Sequence, residues 1–231
     1  MTDSGSRSLR DRPLRSYGRT GGRPLSPRQK VLIAERLEAA RIPEGEGPVD
    51  LEALFPGKTA IWLEIGFGGA EHMIAQAGRH PDVGFLGCEP FLEGVAKALA
   101  GMEDTGVSNV RLWPDDARYL IERLPDASLD RVFILFPDPW PKRRQHKRRL
   151  VQPAFLDLLK PKLKSGAGVR FATDVKSYAD EALLAFLSAG FDWQAAAAGD
   201  WRLPPADHIK TRYESKRLGD CAPVWFDLRM A

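Results

Sequence analysis

A carboxylate, Asp138, stands between Pro137 and Pro139; Trp140 and Pro141 follow, and then six cations in eight residues, Lys142, Arg143, Arg144, Lys147, Arg148 and Arg149. Proline fixes its own φ and biases the residue before it toward extended geometry, so Asp138 and Trp140 are expected in a stiff, extended, non-helical segment. An acid and an indole on such a turn, beside that much positive charge, suit a planar base attached to a phosphate chain. Each feature also has a plainer reading. Asp-Pro turns end many strands, a tryptophan packs on a core, and a run of charge is usually a solvated face. Their succession along one stretch favours the chemical reading.

Further carboxylates recur at comparable places. Gly66 and Gly68 permit close backbone approach just after the apolar run Ala60 to Ile65, and Glu89 follows about 20 residues on, where an acid can bind both ribose hydroxyls. A nucleoside is therefore expected near Glu64, Gly66, Gly68 and Glu89. The dinucleotide fingerprint G-x-G-x-x-G is not met, because Glu71 takes its third position and an anion there opposes a pyrophosphate at a helix N-terminus. A nucleoside bearing positive charge suits the acidic surroundings better, S-adenosylmethionine being one. Asp116 can then accept from the adenine amino group, although Asp115 and Asp116 read equally well as helix caps.

The elements that must hold these groups follow from hydrophobic period. From about Thr59 the chain alternates strand and helix. Strands are expected at Ala60 to Ile65, Gly84 to Glu89, Asn109 to Trp113, Val132 to Phe136, Gly168 to Thr173, Phe191 to Ala198 and Val224 to Arg229. Helices are expected from Glu71, behind Leu92, after Asp116 through Leu124, from Leu150 to Leu163, and around Tyr178 to Phe186, closed by Gly190. Alternation of this kind implies an α/β fold with a mainly parallel sheet and helices on both faces, whose ligands bind beyond the C-terminal strand ends. Glu64, Glu89, Asp116, Asp138 and Asp174 all lie at or just past such ends. The segment Gly199 to Pro223 is too long for a tight hairpin and reads as a functional loop.

At 231 residues and 43% hydrophobic, the chain can bury one sizeable core. Three parts are expected: a basic, disordered arm over residues 1–27, a helix and linker over 28–58 with the helix at Arg28 to Ala40, and the main domain over 59–231. No apolar run is long enough to span a bilayer and no apolar stretch follows the Arg-rich N-terminus, so a soluble cytoplasmic protein is expected, with no membrane partner. Cys88 and Cys221 lie far apart and the four histidines are scattered, so neither a disulfide framework nor a metal site is inferred. The net charge of +3 conceals two basic segments, residues 1–30 and Lys142 to Arg149, on an otherwise acidic chain. Such a distribution attracts polyanions at those segments, and nucleic acid is the natural one. The arm reads either as an inert tail or as one that orders on a phosphate backbone.

Leu63-Glu64-Ile65-Gly66-Phe67-Gly68, Gly87-Cys88-Glu89, Asp116-Ala117 and Phe136-Pro137-Asp138-Pro139-Trp140-Pro141-Lys142 together closely resemble the bacterial tRNA (guanine-N7)-methyltransferases. The likeness continues through His146-Lys147-Arg148-Arg149, Ala172-Thr173-Asp174 and Thr211-Arg212-Tyr213-Glu214, covering about Thr59 to Arg229. It implies the Rossmann-like class I methyltransferase fold with seven strands, and methylation of a variable-loop guanine in tRNA with S-adenosylmethionine as donor and S-adenosylhomocysteine as product. By motif position it implies donor contacts at Glu64, Gly66, Gly68, Glu89, Asp116, Ala117 and Asp138, with Asp138 also catalytic. Lys142, Asp174, Thr211, Arg212, Tyr213 and Glu214 are implied for substrate, and Arg144, His146, Lys147, Arg148 and Arg149 for RNA. The expected form is a monomer or homodimer without metal.

Three residues depart from the family pattern. Ala70 stands where a last glycine is usual, Val175 where an aromatic often follows Thr-Asp, and Arg212 where lysine is common. Asp174 also reads as an ordinary helix N-terminal cap. Rival readings are an amino-group methyltransferase, an RNA-binding protein that has lost catalysis and, disfavoured by Glu71, a nicotinamide dehydrogenase.

Overall fold

Successive residues of a strand point to opposite sides of a sheet, and a strand apolar on both sides must be covered on both. The computed structural model, which describes residues 24–216 and 218–230, meets that requirement with helices on each face. The basic arm lies, up to residue 23, outside the described residues. The described chain opens with α1 (Pro27–Ala40) and one turn, α2 (Leu51–Leu54). It then alternates through β1 (Ala60–Ile65), α3 (Glu71–Arg79), β2 (Val83–Cys88), α4 (Leu92–Thr105), β3 (Val110–Trp113), α5 (Ala117–Arg123) and β4 (Leu129–Leu135). After these come α6 (Pro153–Leu159), β5 (Leu163–Thr173), α7 (Lys176–Ser188), β6 (Phe191–Trp193), the short α8 (Gly199–Arg202) and α9 (Arg212–Lys216), and β7 (Val224–Met230).

Among the described residues seven strands form one sheet, ordered β3-β2-β1-β4-β5-β7-β6. Strands β1 to β5 pair in parallel, and β7 runs antiparallel to both β5 and β6. The order reverses between β1 and β4, which leaves a crevice at their C-terminal ends. In β2, Val83 and Phe85 pack with Met73 and Ile74 of α3, Val95 and Leu99 of α4, and Leu32 of α1. Leu86 and Cys88 belong to the opposite core, with Leu120 of α5, Leu156 of α6 and Phe186 of α7.

One part of the sheet is covered mainly by the connection into β7 rather than by a long helix. Phe133, Leu135, Ala172 and Trp225 of β4, β5 and β7 are covered by the segment before β7, with Tyr213 packed on this cluster and His208 edge-on to Trp225 at 5.5 Å. Arg170 of β5 fixes that cover. Its guanidinium, 4% exposed as a residue, bonds the Asp227 carboxylate at 2.7 and 3.0 Å and Asp207 at 2.6 Å, so its buried charge is matched twice.

Two elements are shorter than their sequence pattern suggests. β6 stops at Trp193 rather than Ala198, because the Asp200 carboxylate accepts from the Ala196 and Ala197 N–H groups at 2.8 Å each and bends the alanine run into a turn. The helix expected from Leu150 to Leu163 contracts to α6. Pro153 occupies its first turn, and Pro161, with no N–H to give, sits in the 3₁₀ turn Lys160–Lys162 that leads into β5.

α1 lies against α4, where Arg28 reaches Glu103 at 2.9 Å and Asp104 at 2.5 Å. Beyond its C-terminus Ile42 N–H donates to Leu112 O at 2.8 Å, so this segment shields the open edge of β3. Ser26 starts α1 with a capping box. Its hydroxyl accepts from Gln29 N–H at 3.3 Å, and the Gln29 side chain accepts from Ser26 N–H at 2.9 Å. Ser26→Ala should therefore cost about 1 kcal/mol and lower the calorimetric unfolding midpoint by about 2–4 °C for a chain of this size.

Candidate active site

The crevice between β1 and β4 is a cleft of about 380 Å³, lined by the turns after β1, β2, β3 and β4 and by Thr211, Arg212 and Tyr213. It gathers Glu64, Gly66, Gly68, Glu89, Asp116, Ala117, Asp138, Lys147, Arg148 and Arg149 from the residues that the sequence singles out. Lys142, Arg144, His146, Asp174 and Glu214 lie off its walls.

On the β1 side, Gly66 and Gly68 have φ of +72° and +54°, which glycine adopts freely. A Cβ at Gly66 would meet no protein atom within 4 Å, so the space over this turn is open to a ligand. Glu89, 4% exposed, bridges the two halves of the wall: its Oε2 accepts from Gly68 N–H at 2.9 Å and its Oε1 from Phe91 N–H at 3.0 Å. Burial pushes the Glu89 carboxyl above the ordinary carboxylate range, against the lowering effect of those bonds. Gly94 packs behind the cleft wall, a position that sequence reasoning overlooked. A Cβ there would come within 2.6 Å of Gly68 O and 2.7 Å of Glu89 Cγ, so only glycine lets α4 pass this close to the turn. A helical glycine just behind a strand-end acid was the available signal.

Glu64 is also buried and accepts from His72 Nδ1 at 2.6 Å. Asp116 is both things that its sequence context allowed. It lines the cleft and caps α5, with Oδ1 accepting from Arg118 N–H and Nε at 2.9 Å each and Oδ2 from Arg118 Nη2 at 2.6 Å. Ala70, the departure from glycine, has φ +63° at the start of α3, a left-handed conformation that costs an alanine about 1–2 kcal/mol.

On the β4 side, Asp138 is accessible to solvent, yet the surrounding walls desolvate it enough to raise its carboxyl above the usual range. Two left-handed residues flank it, Phe136 at φ +51° and Trp140 at φ +44°. The latter corrects the extended geometry expected before Pro141. Contacts from the basic segment override the local preference: the Arg148 guanidinium lies 4.9 Å over the Trp140 ring, and Arg149 Nε donates to Pro139 O at 2.9 Å.

Arg149 is therefore corrected from an RNA contact to an anchor. It is 3% exposed, and it donates also to Ser177 O at 3.1 Å, Ser177 Oγ at 2.8 Å and Glu181 Oε2 at 2.7 Å, with its plane over Tyr178. His146, half-buried, is likewise directed to Glu181, at 2.7 Å, rather than outward. Lys142, Arg143, Arg144 and Lys147 remain exposed on and around the 3₁₀ helix Arg143–Arg148.

Thr211 and Glu214 bracket the start of α9: Glu214 Oε1 accepts from Thr211 N–H at 2.7 Å and sits 3.0 Å from Thr211 Oγ1, and its Oε2 pairs with His208 Nε2 at 2.9 Å. Burial would push the Glu214 carboxyl up, but the His208 and Thr211 bonds hold it below the ordinary value. Tyr213 stacks on Phe136 with centroids 5.6 Å apart, and Arg212 reaches across to Glu71 at 3.4 Å. The substrate contact expected at Asp174 is not formed by the cleft. Asp174 is buried, its Oδ2 accepts from Gly219 N–H at 2.9 Å and its carbonyl from Cys221 N–H at 3.0 Å, while Val175 is the N-cap of α7. It secures the loop before β7.

The cleft is acidic inside, with Glu64, Glu71, Glu89, Asp115, Asp116 and Asp138, and basic at the β4 rim. Among the described residues no group of three or more His, Cys, Asp or Glu side chains gathers as a metal site. No described helix is long and apolar enough to cross a membrane. An acidic lining, an open glycine turn and a buried carboxylate just past β2 fit S-adenosylmethionine and would repel a pyrophosphate.

Solved structures share the fold. The 16S rRNA methyltransferase KamB superposes with a TM-score of 0.57 at 14% identity over 83% of this chain and 98% of that one. Precorrin-6y C5,15-methyltransferase from Geobacter metallireducens GS-15 does so at 0.54 and 17% identity over 78% and 85%. The sheet order, the antiparallel β7 and the cleft define a class I, Rossmann-like methyltransferase fold. Residues 58–225 match the family described as "Putative methyltransferase". A tRNA (guanine-N(7)-)-methyltransferase of Hyphomonas neptunium is 72% identical over 218 residues, 94% of this chain and 100% of that protein. Its namesake from Caulobacter vibrioides strain NA1000 is 51% identical over 93% of this chain and 94% of its own. The chain belongs to the tRNA (guanine-N7)-methyltransferase family.

Arg149→Met should strand the Pro139 and Ser177 carbonyls and release the Asp138 turn, at a cost of about 3 kcal/mol. The urea midpoint should fall accordingly, whereas Arg144→Met, on the exposed side, should leave it in place.

Proposed function

We infer that this protein transfers a methyl group from S-adenosylmethionine to N7 of a guanine in the variable loop of tRNA. The observation that carries the reading is that Asp138, on its proline turn, shares one cleft with the glycine turn and Glu89 in a chain of this family. Glu89 would hold the donor's ribose hydroxyls, the Gly66 to Gly68 turn its amino-acid portion, Asp116 its adenine amino group, and Glu64 its positively charged end. When bound, the donor supplies an electrophilic methyl group on a sulfonium.

Guanine N7 carries a lone pair and no proton, so the chain needs no general base to expose it. Asp138 has other work. Its carboxylate can accept from the guanine N1–H and N2–H edge and so align N7, and it compensates the positive charge that develops on the purine. Partial desolvation raises its carboxyl, and a carboxylate poorly solvated by water gains most from a cation forming beside it. Trp140 and Tyr213 offer ring surface to a base drawn out of its stack; one face of Tyr213 already rests on Phe136.

Lys142, Arg144 and Lys147 are exposed beside the cleft and suit tRNA phosphates. Arg149, Asp174 and Glu214 act through the turns that they fix, and Thr211, Arg212 and Tyr213 supply the wall opposite the donor turn.

Incubation with unmodified tRNA and methyl-labelled donor, followed by nucleoside analysis, should yield 7-methylguanosine. Label in a methylated exocyclic amine instead would point to the amino-group enzymes. Asp138→Asn should lower turnover by about 10²-fold or more, within the range of a lost transition-state contact, with the unfolding midpoint unchanged. Replacing Lys142, Arg144 and Lys147 by glutamine should weaken tRNA binding and flatten log Kd against log salt by about 2–3 units, as befits up to three phosphate contacts. Binding of S-adenosylhomocysteine should not change.

A further inference from the structure

Gln76 is fully buried in the middle of α3, yet it is polar, and its Oε1 has no hydrogen-bond partner among the described residues. A buried amide left half-satisfied is destabilising relative to an apolar side chain of the same shape. Its other end explains its presence. Gln76 Nε2 lies 2.7 Å from Asp207 O and 3.3 Å from His72 Nε2, while His72 Nδ1 lies 2.6 Å from Glu64 Oε2.

Only one assignment satisfies all three contacts. Glu64 as a carboxylate accepts from His72 Nδ1–H, so Nε2 of the neutral ring is an acceptor, and the two hydrogens of one amide NH₂ serve Nε2 and Asp207 O. The reverse orientation of the amide would set Oε1 against a carbonyl. His72, Gln76 and Arg79 form one stripe of α3, and Arg79 Nη1 donates to the same Asp207 carbonyl at 2.9 Å. Asp207 begins the segment that runs through His208, bonded to Glu214, to Thr211, Arg212 and Tyr213 on the cleft wall. At the other end of the helix Glu71 meets Arg212.

We propose that Gln76 is a positioning residue that joins the two substrate sites, setting Glu64 through His72 on the donor side and the Asp207 to Glu214 segment on the tRNA side. This rests on the function proposed above. Each ligand then finds part of its site ordered by the other, and their affinities are linked reciprocally.

Gln76→Met keeps the volume and removes the stranded acceptor, and Asp207 O keeps its bond from Arg79, but His72 Nε2 loses its donor, so the thermal midpoint should fall by about 2–4 °C, the cost of one unpaired buried acceptor in a chain of this size. The informative quantity is the ratio of S-adenosylhomocysteine Kd without and with saturating unmodified tRNA, measured by calorimetric titration. In the wild type the ratio should be about fivefold or more, the low end of measured couplings. In Gln76→Met it should fall to near one, with each ligand alone bound within about threefold of wild type. Arg79→Met, which removes only the outer tether, should weaken tRNA binding and retain the ratio. A wild-type ratio of one, an unchanged ratio in Gln76→Met, or an equal loss in Arg79→Met would overturn the role given to Gln76. A wild type that binds neither ligand would overturn the proposed function with it.

Discussion

The site depends on a constraint of handedness. Strand-helix-strand crossovers in a parallel sheet are right-handed, so the reversal of order between β1 and β4 sends the connections after these two strands to opposite faces. The connections leave a gap between the two tips, and the polar groups there line its walls. The strand-end carboxylates of the cleft follow from that opening. Glu64 and Glu89 end β1 and β2, and the Asp138 turn extends β4, so three carboxylates from three strands look into one space without belonging to one segment.

Charge is sorted around this opening. The interior carries carboxylates, two of them raised by desolvation, whereas the exposed cations stand on the β4 rim. A cation is thus favoured inside the cleft and a polyanion at its rim. Counter-charges for a polyanion stand outside the acids, so phosphates held at the rim are spared contact-distance repulsion from the interior. The boundary between the two zones is the proline turn itself, with Asp138 on one side and Lys142 on the other.

Much of this was legible in the sequence. The seven strands announced themselves because apolar alternation is a local property, and the acids at their tips were legible for the same reason. What could not be read depended on distant partners. Arg149 sits in a run that composition marks as solvated, and it turns inward only because Ser177 and Glu181 are folded beside it. Asp174 looked like a helix cap or a ligand; Val175 takes the cap position, and Asp174 Oδ2 accepts from Gly219 N–H, 45 residues further along the chain. Gly94 carried only a weak signal, a helical glycine behind a strand-end acid, since the need for it arises where α4 crosses a turn 26 residues earlier in the chain. Trp140 adopted a backbone hand that the following proline disfavours, because the basic segment holds it from above and behind.

The anchoring of the proline turn by Arg149 also has a temporal side. Its partners on α7 lie 28 and 32 residues further along the chain, so during synthesis Asp138 leaves the ribosome well before anything can fasten it. The left-handed residues on either side of it favour relaxation until then. A nascent chain thus emits the cleft residues of β1 to α5 before the Asp138 turn can be fastened, and the complete cleft arrives only with the last third of translation.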